Sequence, residues 1–460
     1  MVETNSGRKT GCGAGDVTGC GTTKETLWAL VDENRAELLE ICSSLIKIPS
    51  VHPGQMEAIV DFVCAYLADA GIQYEVVRAP DNTPSIIASV GEKAGKVGIF
   101  NGHNDVVPVG DLGRWDFSPY CGTITEGQIL GRGTSDMKCG VGMILFIAKK
   151  ISQENLRLKG ELRLHIVHDE EKGGQMGSVF LVEQGYADGA DFCMIPEPTT
   201  YNNVEVGQKG SMLAEITTYG KPVNGSVINY VGENAVHKMV RVLNRLPELA
   251  QIRARFSGDQ QQLLEDSRMV IRECLNVPGV EQAIDSVNVN IMSVAGGTSK
   301  TMTPETCSAR IGILSPAAVP LAVVKEKLGA ILAEECPKGG VEIEYLRSYD
   351  GATSVMGVWA RNAQGYLRSY DGATTDVDTP LVRSTLKHAR DLWGKRVVAA
   401  HQWATSDAKY YRYKGIPTIQ YGPANVPGIH AYNECVDIAE IIHCAKVYFG
   451  VLDDLIGFEI

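Results

Sequence analysis

The chain has 460 residues, of which 44% are hydrophobic and 21% charged, so it is long enough for two or three globular domains. Its formal net charge of -12 argues against a nucleic-acid partner, because neutralising phosphates requires clustered Lys and Arg. No window approaches the roughly 20 apolar residues of a membrane span, and the 12 cysteines lack C-x-x-C spacing. We therefore expect a cytoplasmic protein with reduced thiols and no membrane partner.

The first half of the chain predicts helices followed by strands. Residues 1–23 are rich in Gly, Ser and Thr, which predicts a flexible leader without a secretory signal, and residues 24–73 predict helices that end at Gly71. The apolar runs KVGIFNGH, ELRLHIV and DFCMIP then predict strands, and VGMILFIAKKIS predicts a helix. Strands that alternate with helices indicate an α/β sheet.

The pattern changes near residue 206. The following segment predicts a compact α+β insert. It contains a strand pair in EVGQKGSMLAEITTYGK, a helix in GENAVHKMVRVLNRLPELAQIRARF, two further strands and the helix LAVVKEKLGAILAEE. Helix–strand alternation resumes afterwards, and YLRSYDGAT occurs at residues 345–353 and again at 366–374, as a local duplication of a linker. The predicted organisation is a leader (1–23), a main α/β domain (24–206 and 351–460) and an inserted domain (207–350).

Histidines and carboxylates follow several of the apolar runs. Ligands gather outside the carboxyl ends of the strands in an open α/β sheet, so such groups can meet although they are far apart in sequence. His103 and Asp105 follow KVGIF, a spacing that suits a carboxylate that orients a metal-bound imidazole. Asp136 ends a Gly-rich turn, and Glu197 follows DFCMI. The alternatives are a turn His–Asp pair and a helix cap.

Three acids follow the strand ELRLHIV directly, in HDEEKGG. The adjacent Glu170 and Glu171 can point different ways, so that one binds a cation and the other takes a proton; a solvated acidic loop is the alternative. His430, in PGIHAYNECVD, is either a ligand or a surface-loop histidine. Together these positions give a mixed nitrogen and oxygen ligand set: His103, Asp136, Glu171, Glu197 and His430. Such a set suits two zinc-class ions with a bridging carboxylate.

Six motifs resemble, in their order, those of the M20 metallopeptidases: GHNDVVP, GRGTSDMKCG, HDEEKGG, IPEPT, SDAKYYRYKGIP and IHAYNE. That family includes acetylornithine deacetylase, succinyl-diaminopimelate desuccinylase, aminoacylase-1 and glutamate carboxypeptidase. The likeness runs from about residue 25 to the C-terminus. It implies an α/β catalytic domain with a mixed central sheet, interrupted by a smaller α+β lid and dimerisation domain, and a homodimer or higher homo-oligomer.

The resemblance also implies one or two divalent metal ions per subunit, as zinc, manganese or cobalt. The implied ligand sets share a bridge: His103, Asp136 and Glu171 for one ion, and Asp136, Glu197 and His430 for the other. Asp105 would orient His103. Glu170 would be the general base, which takes a proton from a metal-bound water and delivers it to the leaving nitrogen.

The expected substrate contacts depart from the family pattern. Asn224 stands where the resemblance predicts a histidine, and Thr301 and Ile313 stand where an Asn and a carboxylate-binding Arg are expected. Arg310 is close to the latter position but out of register. We expect the small-molecule substrate to contact Asn224, Arg310 and Asp407. His168, before the DEE triplet, has either a packing role or a substrate contact.

These observations favour a metal-dependent hydrolase of a C–N bond, the amide of a small N-acyl amino acid or peptide. The altered substrate positions motivate an alternative, a hydrolytic deaminase of a non-peptide aromatic amine such as a nitro-substituted aminobenzoate. A third hypothesis is a metal-binding or scaffolding member of the family without activity. The presence of every expected metal ligand argues against it.

Overall fold

The computed structural model describes residues 23–154, 156–256, 258–297, 302–346, 369–394 and 396–459. Residues 1–22 of the predicted leader, Thr301 and most of the duplicated segment lie outside these residues. Within the described ranges, no helix is long and apolar enough to cross a membrane.

Helices and strands alternate along most of the chain. The α-helices are α1 (Thr23–Glu33), α2 (Arg35–Ile46), α3 (Glu57–Asp69), α4 (Cys139–Gln153), α5 (Phe180–Glu183), α6 (Ile228–Val231), α7 (Ala235–Arg245), α8 (Asp259–Leu275), α9 (Leu321–Glu335), α10 (Pro380–Trp393), α11 (Ala408–Tyr413) and α12 (Ile438–Leu455). The strands are β1 (Tyr74–Arg78), β2 (Pro84–Gly91), β3 (Val97–His103), β4 (Thr123–Ile124), β5 (Gln128–Leu130), β6 (Arg157–Leu158), β7 (Glu161–Val167), β8 (Phe192–Pro198), β9 (Asn203–Gln208), β10 (Gly210–Tyr219), β11 (Asn288–Gly296), β12 (Thr306–Ser315), β13 (Val341–Leu346), β14 (Ser369–Tyr370), β15 (Ala373–Thr374), β16 (Val398–His401), β17 (Thr418–Gly422), β18 (Cys435–Asp437) and β19 (Phe458–Glu459).

A nine-stranded mixed sheet forms the larger part of the molecule. Its strand order is β1-β2-β7-β3-β8-β17-β9-β15, and β16 pairs with β9. The central strands β7, β3, β8 and β17 run parallel, whereas β1, β2 and β15 pair antiparallel. The predicted α/β fold with a mixed central sheet is confirmed.

The parallel centre of this sheet is covered by helices, as its continuous apolar sequences require. Six of the seven residues of β3 are buried, and α4 is buried over nearly its whole length. In the register of β3 with β7, His103 lies opposite Val167, so both strands end at the same level. Because β8 also runs parallel to β3, the side chains that follow all three strands share one edge.

A second, five-stranded antiparallel sheet has the order β11-β12-β10-β13, with β14 paired to β10. One face packs against α7 and α9 and has its own apolar core, which includes Met212, Ile216, Met239, Ile311 and Leu328. The predicted domain boundaries at residues 207 and 350 stay predictions, although β14 joins this sheet from beyond residue 350.

The helices of the insert differ from the prediction. The helix expected over residues 232–256 ends at Arg245, and a 3-10 turn follows because Pro247 cannot donate the next backbone hydrogen bond. Helix α8 was not predicted from the sequence at all. This helix packs on the nine-stranded sheet, where Val270 contacts Val398 and Ala400 of β16.

Candidate metal centre

The carboxyl ends of the central strands bring all five predicted ligand side chains together. His103 ends β3, Glu197 lies near the end of β8, and Glu171 follows β7. Asp136 lies in the turn before α4, and His430 lies in the loop after β17. Parallel pairing of the strands, rather than any local sequence pattern, therefore gathers these groups at one edge of the sheet.

The first group of side chains surrounds the buried imidazole of His103. Its Nε2 lies 3.1 Å from Asp136 Oδ1 and 3.9 Å from Glu197 Oε1. Ligand atoms of His103, Glu170 and Glu197 all lie within 4.8 Å of one another. This is a compact set of one nitrogen and several oxygen donors, of the kind that divalent transition metals accept.

The second group is more exposed and shares Asp136 with the first. His430 Nε2 lies 3.2 Å from Asp136 Oδ2 and 3.0 Å from Glu171 Oε1. Asp136 therefore turns a different carboxylate oxygen to each histidine. Such a carboxylate suits a bridge between two metal ions roughly 3.5–4 Å apart.

In the structure Glu171 and Glu197 have exchanged places between the two ligand sets that were expected from the sequence. Glu197 lies beside His103 because β8 and β3 are neighbouring strands. Glu171 lies beyond the end of β7, where it meets the loop that carries His430. The expected grouping of Glu171 with His103 and of Glu197 with His430 is therefore corrected, while Asp136 keeps its shared position.

Asp105 links the two groups through its backbone and its carboxylate. The carbonyl oxygen of Asp105 accepts a hydrogen bond from His103 Nδ1 at 2.9 Å, which leaves His103 Nε2 as the metal-facing nitrogen. The buried carboxylate accepts the backbone N–H groups of Glu170 (3.2 Å) and Glu171 (3.0 Å). Asp105 thus orients the imidazole mainly through its carbonyl and holds the glutamate turn with its side chain.

Glu434 supports the turn that carries Asp136, a role that was not predicted from the sequence. Its carboxylate accepts Arg132 Nη1 at 2.6 Å and the backbone N–H groups of Gly133, Ser135 and Asp136 at 3.1, 2.9 and 3.2 Å. The only sequence signal for it was its place in the motif IHAYNE.

The charges of the site favour a bound cation. Burial raises the pKa of Glu197 to about 8, and burial together with the charge of Glu197 raises the pKa of Glu170 well above its usual range. Hydrogen bonds to Asp136 and Glu171 raise the pKa of His430 to about 10. Without a metal, protons thus neutralise this cluster of acids, and divalent cations could take their place. The donor set fits such ions.

A cavity of about 510 Å³ opens in front of both groups. Besides the acids, it is lined by Leu275 at the end of α8, by Trp403 and by Lys409 of α11. Lys409 is buried, with its Nζ 2.8 Å from the carbonyl oxygen of Ser406 and 4.4 Å from the ring centre of Tyr410. None of these three cavity residues had a role predicted from the sequence, although Lys409 belongs to the motif SDAKYYRYKGIP.

None of the three predicted substrate contacts lines this cavity. Asn224 is exposed and caps a short 3-10 turn by accepting the N–H of Ser226 at 3.0 Å. Arg310 lies on β12 and forms an ion pair with Glu215 on the neighbouring β10 at 2.8 Å. Asp407 is buried and is not among the residues that line the cavity.

The packing of Asp407 explains this correction. Gly174 adopts a left-handed backbone (φ +69°), and a Cβ there would lie 2.0 Å from Asp407 Oδ1. The carboxyl group therefore lies directly against the backbone of Gly174, in the turn after Glu171. His168 is also fully buried and donates Nδ1–H to the carbonyl oxygen of Pro84 at 3.0 Å. Of the two roles expected for it, packing or a substrate contact, the structure supports packing.

Comparisons with known proteins agree with this geometry. The sequence profile of "Peptidase family M20/M25/M40" matches residues 99–454. A probable succinyl-diaminopimelate desuccinylase of Staphylococcus epidermidis is 32% identical over 214 residues, which are 46% of this chain and 51% of that protein. This chain thus aligns with about half the length of the curated relatives it matches.

Solved structures share the fold over nearly the whole chain. An M20 family metallo-carboxypeptidase from Sulfolobus solfataricus superimposes with a TM-score of 0.72 at 17% identity, over 92% of this chain and 99% of its own. Human carnosine dipeptidase 1 gives a TM-score of 0.70 at 15% identity, over 94% and 99%. At these identities the likeness shows the fold alone.

Proposed function

This chain belongs to peptidase family M20/M25/M40, and from that membership we propose that it is a metal-dependent hydrolase of the amide bond in a small N-acyl amino acid or peptide. The observation that carries the proposal is the carboxylate of Asp136, shared between two histidine-containing groups at the floor of a cavity. An arrangement of this kind suits hydrolysis assisted by two metal ions.

We assign the ligands from the observed grouping. His103 and Glu197 would hold one ion, Glu171 and His430 would hold the other, and Asp136 would bridge them. Bound divalent ions would polarise the scissile carbonyl and lower the pKa of an attacking water. Asp105 keeps the Nδ1 proton of His103 engaged, so that Nε2 stays available for coordination.

Glu170 is the proposed general base. Its backbone N–H is held by Asp105, and its side chain lines the cavity beside His103 and Glu197. Because burial raises the pKa of this carboxyl, it binds a proton more readily than an exposed glutamate does. Glu170 would take a proton from the attacking water and pass it to the leaving nitrogen, a shuttle that needs no second acid.

Lys409 supports a substrate that carries a carboxylate. Among the described residues that line the cavity, it is the only Lys or Arg. Burial lowers the pKa of Lys409, while the nearby charges of Asp407, Glu170 and Glu197 raise it and so favour the ammonium form. An N-acyl amino acid would present an anionic group to this ammonium and its amide to the proposed metals.

Matched glutamine variants of the adjacent glutamates test these roles. Glu170→Gln should keep its metal content and lose about 10²–10⁴-fold in kcat, whereas Glu171→Gln should lose metal as well. Metal content after dialysis against Zn²⁺ is measured alongside turnover of N-acetyl, N-succinyl and dipeptide substrates. Retained turnover in Glu170→Gln would contradict the base assignment, and loss of its metal would make Glu170 a ligand. If the wild-type protein hydrolyses an aminobenzoate amine but no amide, the aromatic aminohydrolase is the better description.

A further inference from the structure

We propose that Leu275 and Trp403 form an apolar subsite that selects substrates with an uncharged, apolar side chain beside the scissile amide. The inference deepens the proposed function and rests on it. Leu275 is the last residue of α8, and Trp403 lies in the loop after β16. Both side chains line the cavity that contains the proposed metal ligands.

The two side chains belong to one packed unit. Leu275 and Trp403 are both half-buried against the same buried cluster of Leu264, Ile271 and Ile284. Both also line the cavity, to which Val426 and Ile429 add further apolar lining. Burying an apolar substrate group there would remove apolar surface of both partners from water.

The subsite is held in place by the attachment of α8 to the nine-stranded sheet. The backbone N–H of His401 donates to Ser267 Oγ at 2.8 Å, and Asp266 forms an ion pair with Arg396. Nearer the end of the helix, Glu273 Oε2 accepts Asn202 Nδ2 at 3.0 Å. Leu275 is therefore fixed relative to the metal-ligand strands, as a residue that discriminates among substrates must be.

Loss of hydration excludes a charged side chain from the same place. An acidic side chain of the substrate would lose water against the apolar surface of Leu275 and Trp403, which opposes binding. A basic side chain would suffer the same loss of hydration.

The test compares Leu275→Ala with Val277→Ala, an exposed control that lies two residues further on and does not line the cavity. We expect wild-type protein to prefer N-acetyl-leucine to N-acetyl-alanine and to N-acetyl-aspartate in kcat/KM. Leu275→Ala should reduce the leucine-to-alanine preference about tenfold, and Val277→Ala should leave it unchanged. Leu275→Lys should raise the relative acceptance of N-acetyl-aspartate, and thermal unfolding verifies that each variant is folded.

A binding measurement distinguishes failure of this inference from failure of the proposed function. Calorimetric titration of the same ligands into Glu170→Gln protein, with and without Leu275→Ala, measures the preference without turnover. A tenfold loss of leucine preference in binding supports the subsite even if no amide is hydrolysed, in which case only the proposed function fails. Equal binding of N-acetyl-leucine and N-acetyl-aspartate, or a preference that Leu275→Ala leaves intact, overturns the subsite even if amides are hydrolysed.

Discussion

Replacing Glu434 by Gln should weaken both the fold and the proposed metal centre, although Glu434 is not one of the proposed metal ligands. Its carboxylate is buried and 2.6 Å from the equally buried guanidinium of Arg132, with exposed side-chain fractions of 1% and 3%. Breaking a buried pair costs about 3–5 kcal/mol, because the remaining charge has no partner and little water. The Gln amide also turns N–H donors toward backbone N–H groups that now donate to Glu434.

Two assays follow this change. At roughly 2–4 °C per kcal/mol, a cost near 3 kcal/mol lowers the midpoint of thermal unfolding by about 6–12 °C. Metal affinity, measured by competition with a chelator, should fall about 10–100-fold because the amide keeps only one acceptor oxygen for the four donors that hold the Asp136 turn.

Glu440→Gln is the matched control for this variant. Glu440 is also buried, and its Oε2 accepts the N–H of Ala424 at 2.8 Å. Burial raises its pKa to about 7, so the neutral amide resembles a form that the carboxyl already populates. We expect a change below about 1 kcal/mol for this control. If Glu434→Gln matches the control in both unfolding midpoint and metal affinity, the supporting role of Glu434 is refuted.

Three further predictions concern the surroundings of the site. Gly174→Ala should lower the unfolding midpoint and the activity together, since its Cβ would collide with Asp407 in a left-handed backbone; unchanged values would contradict the described packing. Burial lowers the pKa of His168 to about 4, so as the pH falls the imidazole is protonated in the unfolded chain before it is protonated in the folded protein. The free energy of unfolding should therefore decline as the pH falls from about 6.5 to 4, by up to about 3 kcal/mol. Urea unfolding at pH 7, 5 and 4 should show that His168→Asn removes this part of the acid sensitivity. Lys409→Met should raise KM about tenfold or more for N-acetyl amino acids but not for their uncharged amides, and an equal effect on both would remove the carboxylate contact.

The sequence predicted the parts of this site that follow from strand ends. His103, Glu171 and Glu197 follow apolar strands that must run parallel, so their meeting at one edge could be inferred without coordinates. The pairing of each glutamate with a histidine could not be inferred from the sequence, because it depends on which strands are neighbours in the sheet. The order β7-β3-β8 is a property of the whole sheet and is not written in any local motif.

The missed and corrected residues share a different cause. The segment that forms α8 begins DQQQ and is polar on most of its surface, so its apolar positions resembled a loop with scattered hydrophobic residues. Asp407 was expected to contact the substrate, but the direction of its side chain depends on the packing of α11 against the Gly173–Gly174 turn. Motif matching locates a segment, and the packing around it decides which of its side chains reach the cavity.

The attachment of α8 to β16 also bears on how the chain avoids aggregation. Among the described strands, β16 pairs with β9 alone, so its other side would expose backbone groups that could recruit a strand from another chain. Ser267 accepts the N–H of His401 on that side, and Val270 covers Val398 and Ala400. Deleting the whole inserted segment would therefore expose an edge strand that is prone to aggregation. A shortened version of this protein should keep residues 259–275 or carry charged residues on β16 in their place.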